Sequence, residues 1–134
     1  MGMYTEMIFG AKLKGSTPKN IIDIIQSLVD GKESEIKDKP SHPFFQTERQ
    51  WLLTSGGSYY FAGVMSPQFQ KDEMTNQWSL FARTNIKNYR GEIEKFIDWI
   101  KPYCEQGSGA NDMIAVVIYE EEKTPTIYYL NDVT

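Results

Sequence analysis

Nucleophilic catalysis needs a hydroxyl or thiol beside a base, and the sequence contains one histidine, His42, and one cysteine, Cys104. His42 lies in the loop motif PSHP (40–43), whose prolines hold the backbone extended, so we interpret it as a solvated surface residue. Cys104 follows a predicted amphipathic helix and is interpreted as a small core residue. One histidine and one cysteine also cannot form an ordinary zinc site. We therefore predict no catalytic residue, no metal and no cofactor.

A glycine pair in the stretch LLTSGGSYYFAGV (52–64) could cradle a phosphate or form the turn of a β-hairpin. A phosphate loop usually leads into the N-terminus of a helix. The aromatic run YYF that follows Ser58 favours a strand instead, and glycine supplies the positive φ of tight hairpin turns. The pattern therefore predicts a hairpin turn at Gly56-Gly57.

The acidic residues include one cluster, Glu120 to Glu122, in a predicted turn. Such a run is typical of a solvated face, and metal binding by it is the alternative. No sequence pattern shows the paired carboxylates of a hydrolase, a calcium loop or a nucleotide-binding fingerprint. An enzyme is therefore the weaker class of function for this chain.

The pair Phe81 and Arg83 lies two residues apart in the strand-like stretch QWSLFARTNI. Such a pair can stack on an aromatic base or clamp a carboxylate. The alternative is that the long segment 32–50 covers Phe81, because exposed apolar sheet faces are usually covered. RNA-recognition modules place aromatic side chains on comparable strands, but the basic-glycine-aromatic motif of those modules is missing here.

Composition and charge indicate one globular domain covering residues 1–134. The aromatic share of 13% predicts aromatic strands or an aromatic binding surface. The net charge of −4 argues against nucleic acid and anionic membranes as partners. No apolar run approaches the roughly 20 residues that cross a bilayer, and a single cysteine excludes an internal disulfide, so we expect a cytoplasmic protein.

Hydrophobic periodicity predicts the elements of the first half of the chain. Residues 3–13 alternate as a strand, with Met7 and Phe9 on one face and Ile8 on the other. A helix with an N-cap at Thr17 then runs to a stop at Gly31. After the connection 32–50, strands are predicted at Trp51–Leu53, which is the doubtful one, and at Tyr59–Met65.

The second half contains a polar segment at 66–77, a strand at Trp78–Thr84 and an amphipathic helix that Pro102 ends. Strands Ile114–Tyr119 and Thr126–Leu130 complete the order. Without the doubtful strand this order is β-α-β-β-α-β, the ferredoxin-like order, with one C-terminal hairpin strand appended. The fold class predicted is α+β, with two helices on one face of a mostly antiparallel sheet.

The face of the sheet opposite the helices is the predicted binding surface. Alternation places Ile8, Phe81 and Arg83 there, together with one of the two tyrosines of the last strand, for which we choose Tyr129 over Tyr128. An uncovered patch of this character favours self-association or a partner. We therefore predict a homodimer or a partner complex, with Phe81 and Arg83 near its centre.

Three stretches, YTEMIFGAKLK, NIKNYRGEIEKFIDWIKPY and IYEEEKTPTIYYL, resemble a family of small proteins from bacteriophages and prophages of Gram-positive bacteria. The similarity spans nearly the whole chain. That family carries no assigned activity, so no functional residue is transferred from it. The resemblance implies an intracellular accessory protein of a virus or mobile element that binds a host protein or a small molecule.

The leading hypothesis is a non-enzymatic binding protein of phage or prophage type, acting on a host protein or a small molecule. One alternative is a small-ligand or nucleotide-binding protein, with or without hydrolytic activity, whose site lies at Arg83 and the tyrosine-rich strands. The other is an oligomerising structural module. A ligand screen by thermal shift separates these, because a bound ligand at 100 times its dissociation constant adds about 2.7 kcal/mol of stability.

Overall fold

Two α-helices and five strands follow one another along the chain in the computed structural model, which describes residues 4–47, 50–54, 58, 60, 66–107 and 112–131. In chain order they are β1 (Thr5–Lys12), α1 (Lys19–Val29), β2 (Gln68–Asp72), β3 (Gln77–Ile86), α2 (Glu92–Ile100), β4 (Met113–Tyr119) and β5 (Thr126–Tyr129). Short 3-10 helices lie at Glu33–Glu35, Pro43–Gln46, Gln50–Thr54 and Lys101–Tyr103.

The five strands form one antiparallel sheet with the order β2-β3-β1-β4-β5. The central strand β1 pairs with β3 on one side and β4 on the other, so that Met7 lies opposite both Thr84 and Val117. The prediction of an α+β fold with two helices and an antiparallel sheet is confirmed.

Helix α1 buries the apolar stripe that its sequence predicts, formed by Ile21, Ile24, Ile25 and Leu28. It ends at Gly31, where φ is 72°, and the amide of Lys32 donates to the carbonyl of Ser27 at 2.8 Å. This is the Schellman arrangement that glycine favours. The predicted N-cap at Thr17 is wrong: Pro18 holds that position, and the Thr17 hydroxyl donates to the carbonyl of Lys14.

Helix α2 is held at its start by two side chains that cap backbone amides. Asn88 Oδ1 accepts from the amide of Ile93 at 2.9 Å, and Glu92 Oε1 accepts from the amide of Arg90 at 3.0 Å. Its buried face packs on the sheet, with the rings of Phe96 and Phe9 5.4 Å apart. Buried residues of both helices and of the sheet belong to a single core. Both helices therefore lie on the Phe9 side of the sheet.

Two parts of the sequence fold differently from the prediction. Residues Trp51–Leu53, expected as a strand, lie in the 3-10 helix Gln50–Thr54, which contacts α1, α2 and β3 and buries Leu52 and Leu53 completely. The polar segment 66–77 contains the edge strand β2, in which Phe69 alone is buried. The predicted strand Tyr59–Met65, except Tyr60, and the turn at Gly56-Gly57 lie outside the described residues.

Candidate interaction surface on the sheet

The side of the sheet away from the helices is here called the open face; it is exposed at some positions, such as Phe81, and covered at others, such as Glu6 and Arg83. Strand alternation and the pairing register assign residues to it, since cross-strand partners point to the same side. The open face consists of Glu6, Ile8, Gly10 and Lys12 from β1, Gln68 and Gln70 from β2, Ser79, Phe81, Arg83 and Asn85 from β3, Met113, Val116 and Ile118 from β4, and Ile127 and Tyr129 from β5.

One row of side chains crosses four strands of the open face. Arg83 lies opposite Ile8, Ile8 lies opposite Val116, and Val116 lies opposite Ile127. The row changes from a buried cation at β3, where Arg83 is 7% exposed, to an exposed apolar side chain at β5, where Ile127 is 42% exposed. Ile8 and Arg83, which were both predicted for this face, are thus direct cross-strand partners.

Phe81 lies on β3, the neighbour of the central strand, beside a glycine. It pairs with Gly10 of β1, and a Cβ atom at Gly10 would meet the Phe81 ring at 3.3 Å. The missing side chain at Gly10 therefore lets the ring lie close to the backbone of β1, and the ring remains 43% exposed. A shallow depression of about 330 Å³ beside it is lined by Phe81, Gly10, Gln68 and Gln70 among others.

The tyrosines of β5 divide between the two sides of the sheet. Tyr128 pairs with Ala115 and packs against the core, whereas Tyr129 pairs with Met113 on the other side and is 38% exposed. The choice of Tyr129 for the open face agrees with this placement. Ile127 and Met113 were not among the predicted residues, although Ile127 is two residues from Tyr129 and strand alternation alone assigns it to the same face.

On the open face, exposed apolar side chains lie beside charged side chains that are buried or half-buried. Glu6 is 1% exposed and accepts a hydrogen bond at 2.6 Å from the hydroxyl of Ser58, while Lys12 is half-buried. Around them Phe81, Ile127 and Tyr129 are exposed. A surface of this kind can bury apolar area against another surface.

The described part of the long connection, residues 32–47, does not cover Phe81. Its aromatic side chains Phe44 and Phe45 are buried against α2 on the opposite side of the sheet, where the Phe45 and Trp99 rings lie 4.9 Å apart. The Phe44 and Phe96 rings are 5.5 Å apart. The connection is thus part of the helix layer, and the alternative that residues 32–47 shield Phe81 is wrong.

His42 attaches this connection to α2 and is not a solvated surface residue. Its Nε2 lies 2.7 Å from Asp98 Oδ2, and its Nδ1 accepts from the amide of Phe44 at 3.1 Å. The side chain is 22% exposed. Since both ring nitrogens already have partners, the imidazole is a structural link and has no free nitrogen with which to act as a base.

Cys104 belongs to the core, as the sequence predicts. It is 1% exposed, and its thiol lies 3.5 Å from the carbonyl of Ile100. Burial raises the pKa of the Cys104 thiol to about 12, so the reactive thiolate is not formed near neutral pH.

In the acidic turn, Glu120 accepts from the amide of Tyr4 at 2.6 Å. Within the described ranges, no three His, Cys, Asp or Glu side chains are grouped to hold a metal ion.

Comparisons of the chain with protein-family models, with curated proteins and with solved structures give no match. The assignment of a function therefore depends on the surface itself. Among the described residues, no helix combines the length and the apolar character needed to cross a membrane.

Proposed function

We propose that the protein is a non-enzymatic binding protein that acts through the open face of its sheet, and that this face first pairs with a second copy of the chain. The observation that supports the proposal is the exposure of Phe81, Ile127 and Tyr129 together on a sheet face that neither helix covers. Exposed apolar clusters of this kind mark interaction surfaces in soluble proteins.

The charges of the open face favour a second copy as the occupant. A twofold interface brings each residue near the same patch of its partner, so exposed charges of one sign would repel one another. Glu6 and Arg83 are buried within each copy, and Lys12 is half-buried. The most exposed apolar side chains of the face, Phe81, Ile127 and Tyr129, carry no charge, so two copies of the face can meet there without repulsion.

The size of the open face sets the expected strength of pairing. Five strands about 4.8 Å apart and about six residues long cover roughly 20 by 20 Å in projection, or on the order of 400 Å² per copy. Two copies would bury on the order of 800 Å² in total, less than the roughly 1,200 Å² of the smallest standard interfaces, so we expect weak pairing with a dissociation constant in the micromolar range.

The finer fold assignment that we propose is the ferredoxin-like arrangement with one appended strand. Its support is the connectivity: α1 joins β1 and β2, which have β3 between them, and α2 joins β3 and β4, which have β1 between them. Such split β-α-β units are characteristic of that arrangement. Strand β5 is then the addition, paired with β4 at the edge.

The biological setting that we propose is that of an accessory protein of a phage or prophage, acting in the bacterial cytoplasm. It is supported by the resemblance of the three sequence stretches and by the missing catalytic set. A host protein could use the same face in place of the second copy. A small-ligand or nucleotide site centred on Arg83 is less well supported, because Arg83 is only 7% exposed.

The test is sedimentation velocity of the wild type and of Phe81→Glu from about 1 to 200 µM, the range that a micromolar dimer requires. Met74→Glu is the matched control, since Met74 is 95% exposed in the β2–β3 turn and receives the same charge away from the open face. We expect the wild type and Met74→Glu to dimerise and folded Phe81→Glu to remain monomeric. A wild type that is monomeric throughout, or a Phe81→Glu protein that still dimerises, contradicts the proposal.

A further inference from the structure

A cleft lies on the helix side of the sheet, at the end where β4 turns into β5. Its floor includes Val117 and Tyr128, and the first turn of α2 with the loop before it forms one wall. The volume is about 360 Å³, which is within the range of small-molecule sites. We call it the tyrosine cleft, after Tyr89, Tyr119 and Tyr128, which line it together with Glu94 and Glu122.

The lining of the tyrosine cleft is aromatic and acidic. Three phenol rings provide π faces, and two carboxylates provide negative charge, whereas no Lys, Arg or His is among the described residues that line it. Lys87, which precedes the loop, is placed over the ring of Tyr4, with Nζ 5.6 Å from the ring centroid. Aromatic faces and carboxylates together are the combination that recognises an organic cation.

Two side chains, one in the loop before α2 and one in its first turn, are suited to contact a ligand in the cleft. Tyr89 is 60% exposed, although the loop backbone is held by hydrogen bonds such as that from the Tyr89 amide to the Lys87 carbonyl at 2.9 Å. The carboxylate of Glu94 is oriented by Asn88, whose Nδ2 donates to Glu94 Oε1 at 2.6 Å. An exposed ring and an oriented carboxylate thus lie on the same wall of the cleft.

The electrostatic field at the cleft favours a cation. The pKa of Tyr119 is raised by burial, then by the charge of Glu121 and the hydrogen bond that the Tyr119 hydroxyl donates to it, and then by the charges of Glu120 and Glu122. The N-terminus of α2 would by itself favour an anion, but Glu92 and Glu94 occupy its first turn and offset that effect.

We propose that the tyrosine cleft is a binding site for a small organic cation, a quaternary ammonium or guanidinium group, held between the tyrosine faces with Glu94 and Glu122 as counter-charges. The site is separate from the open face and does not depend on dimerisation. The same chemistry could come from a free metabolite or from an arginine side chain of a peptide.

Two pairs of ligands of matched shape test the proposal by ¹H–¹⁵N NMR titration of the wild type. Choline is compared with 3,3-dimethylbutan-1-ol, its neutral carbon analogue, and N-acetyl-arginine amide with N-acetyl-citrulline amide. We expect at least one cation to shift the resonances of Tyr89, Tyr119 and Tyr128 and to bind about tenfold more tightly than its neutral partner. The pair with the tighter cation identifies the source.

Glu122→Gln removes one negative charge from the cleft. The control is Glu73→Gln, which removes the same charge from the turn between β2 and β3 at the opposite end of the sheet. We expect Glu122→Gln to weaken cation binding about fivefold or more and Glu73→Gln to leave it unchanged. Neutral analogues that bind as well as the cations overturn the proposal, as does the failure of both cations to shift the tyrosine resonances at millimolar concentration.

Discussion

His42 and Asp98, 56 residues apart in sequence, are joined by a 2.7 Å contact between Nε2 and Oδ2 that fixes the long connection to α2. The Nδ1 atom of the same ring accepts from the amide of Phe44 and so caps the 3-10 helix Pro43–Gln46. The ring therefore determines where Phe44 and Phe45 enter the core.

The first prediction concerns this contact. A double-mutant cycle with His42→Ala and Asp98→Ala should give a coupling energy of about 0.5 to 1 kcal/mol, because the His42 side chain is mostly buried although Asp98 is exposed. His42→Ala alone should cost about 1 to 2 kcal/mol, since the cap of the Phe44 amide is lost as well. Urea unfolding measures both values.

The ion pair of Lys19 and Asp23 is the control for the first prediction, because both side chains are largely exposed on α1. Its coupling energy should not exceed about 0.5 kcal/mol. A His42–Asp98 coupling no larger than that of this surface pair would remove the structural role assigned to the histidine.

The second prediction concerns the end of α1. Gly31→Ala should destabilise the fold by about 1 to 2 kcal/mol, because φ at this position is 72° and a Cβ atom is strained there. Gly31→Asn should cost less, since asparagine tolerates this conformation better. Gly15→Ala is the control: Gly15 has no positive φ, and a Cβ atom there would lie at an ordinary contact distance of 3.8 Å from the Gln77 side chain. If Gly31→Ala and Gly15→Ala were equally stable, the assignment of Gly31 to the C-terminal cap of α1 would be wrong.

The third prediction distinguishes the 3-10 helix Gln50–Thr54 from the strand that its sequence suggests. In a strand on a sheet, adjacent residues point to opposite sides, so one of Leu52 and Leu53 would be less buried. In the structure both are 0% exposed. Leu52→Ala and Leu53→Ala should therefore each cost about 2 to 5 kcal/mol in chemical denaturation. One large and one small cost would instead favour the strand.

An element could be predicted from the sequence where its apolar residues form a repeated pattern. The strand β1 and the helix α1 were predictable because each carries a repeated apolar pattern that one covered face imposes, as in Met7 and Phe9. The edge strand β2 was not, because its sequence QFQKD has a single buried apolar residue, Phe69. Three residues, Trp51 to Leu53, are also too few to distinguish a strand from a turn of helix.

The candidate surface, too, could be predicted only in part from the sequence. Alternation along β1 and β3 was sufficient to place Ile8, Phe81 and Arg83 on one face, and the register adds that Ile8 and Arg83 are direct partners. The burial of Glu6 was not predictable, because it involves a contact with Ser58, a residue 52 positions away. Because a charged side chain such as Glu6 is buried, the accessible part of the face is more apolar than its sequence suggests.

The fourth prediction is a pH effect of Cys104. Burial raises the pKa of its thiol from 9.0 to about 12, so the unfolded chain ionises first as the pH rises. The corresponding stability is fully present below pH 9 and is lost between pH 9 and 12, at about 1.4 kcal/mol per pH unit. The stability difference between wild type and Cys104→Ala should therefore shrink over this range. Urea unfolding at pH 8, 9.5 and 10.5 measures it, and a pH-independent difference would contradict the assignment.

The last prediction asks whether a second copy occupies the open face with Phe81 near the twofold axis. In a twofold interface a residue close to the axis meets its own counterpart, so like charges there repel and opposite charges attract. Phe81→Glu and Phe81→Lys should each be monomeric, because each places a charge where an exposed apolar ring lies on the open face beside Gly10. An equimolar mixture of the two should form a heterodimer whose affinity falls as salt is added. Sedimentation of the mixture at low and high ionic strength measures this, with the mixture of Met74→Glu and Met74→Lys as a control that should match the wild type. A monomeric mixture, with the wild type dimeric under the same conditions, would place Phe81 away from the axis and shift the centre of the interface toward Ile127 and Tyr129.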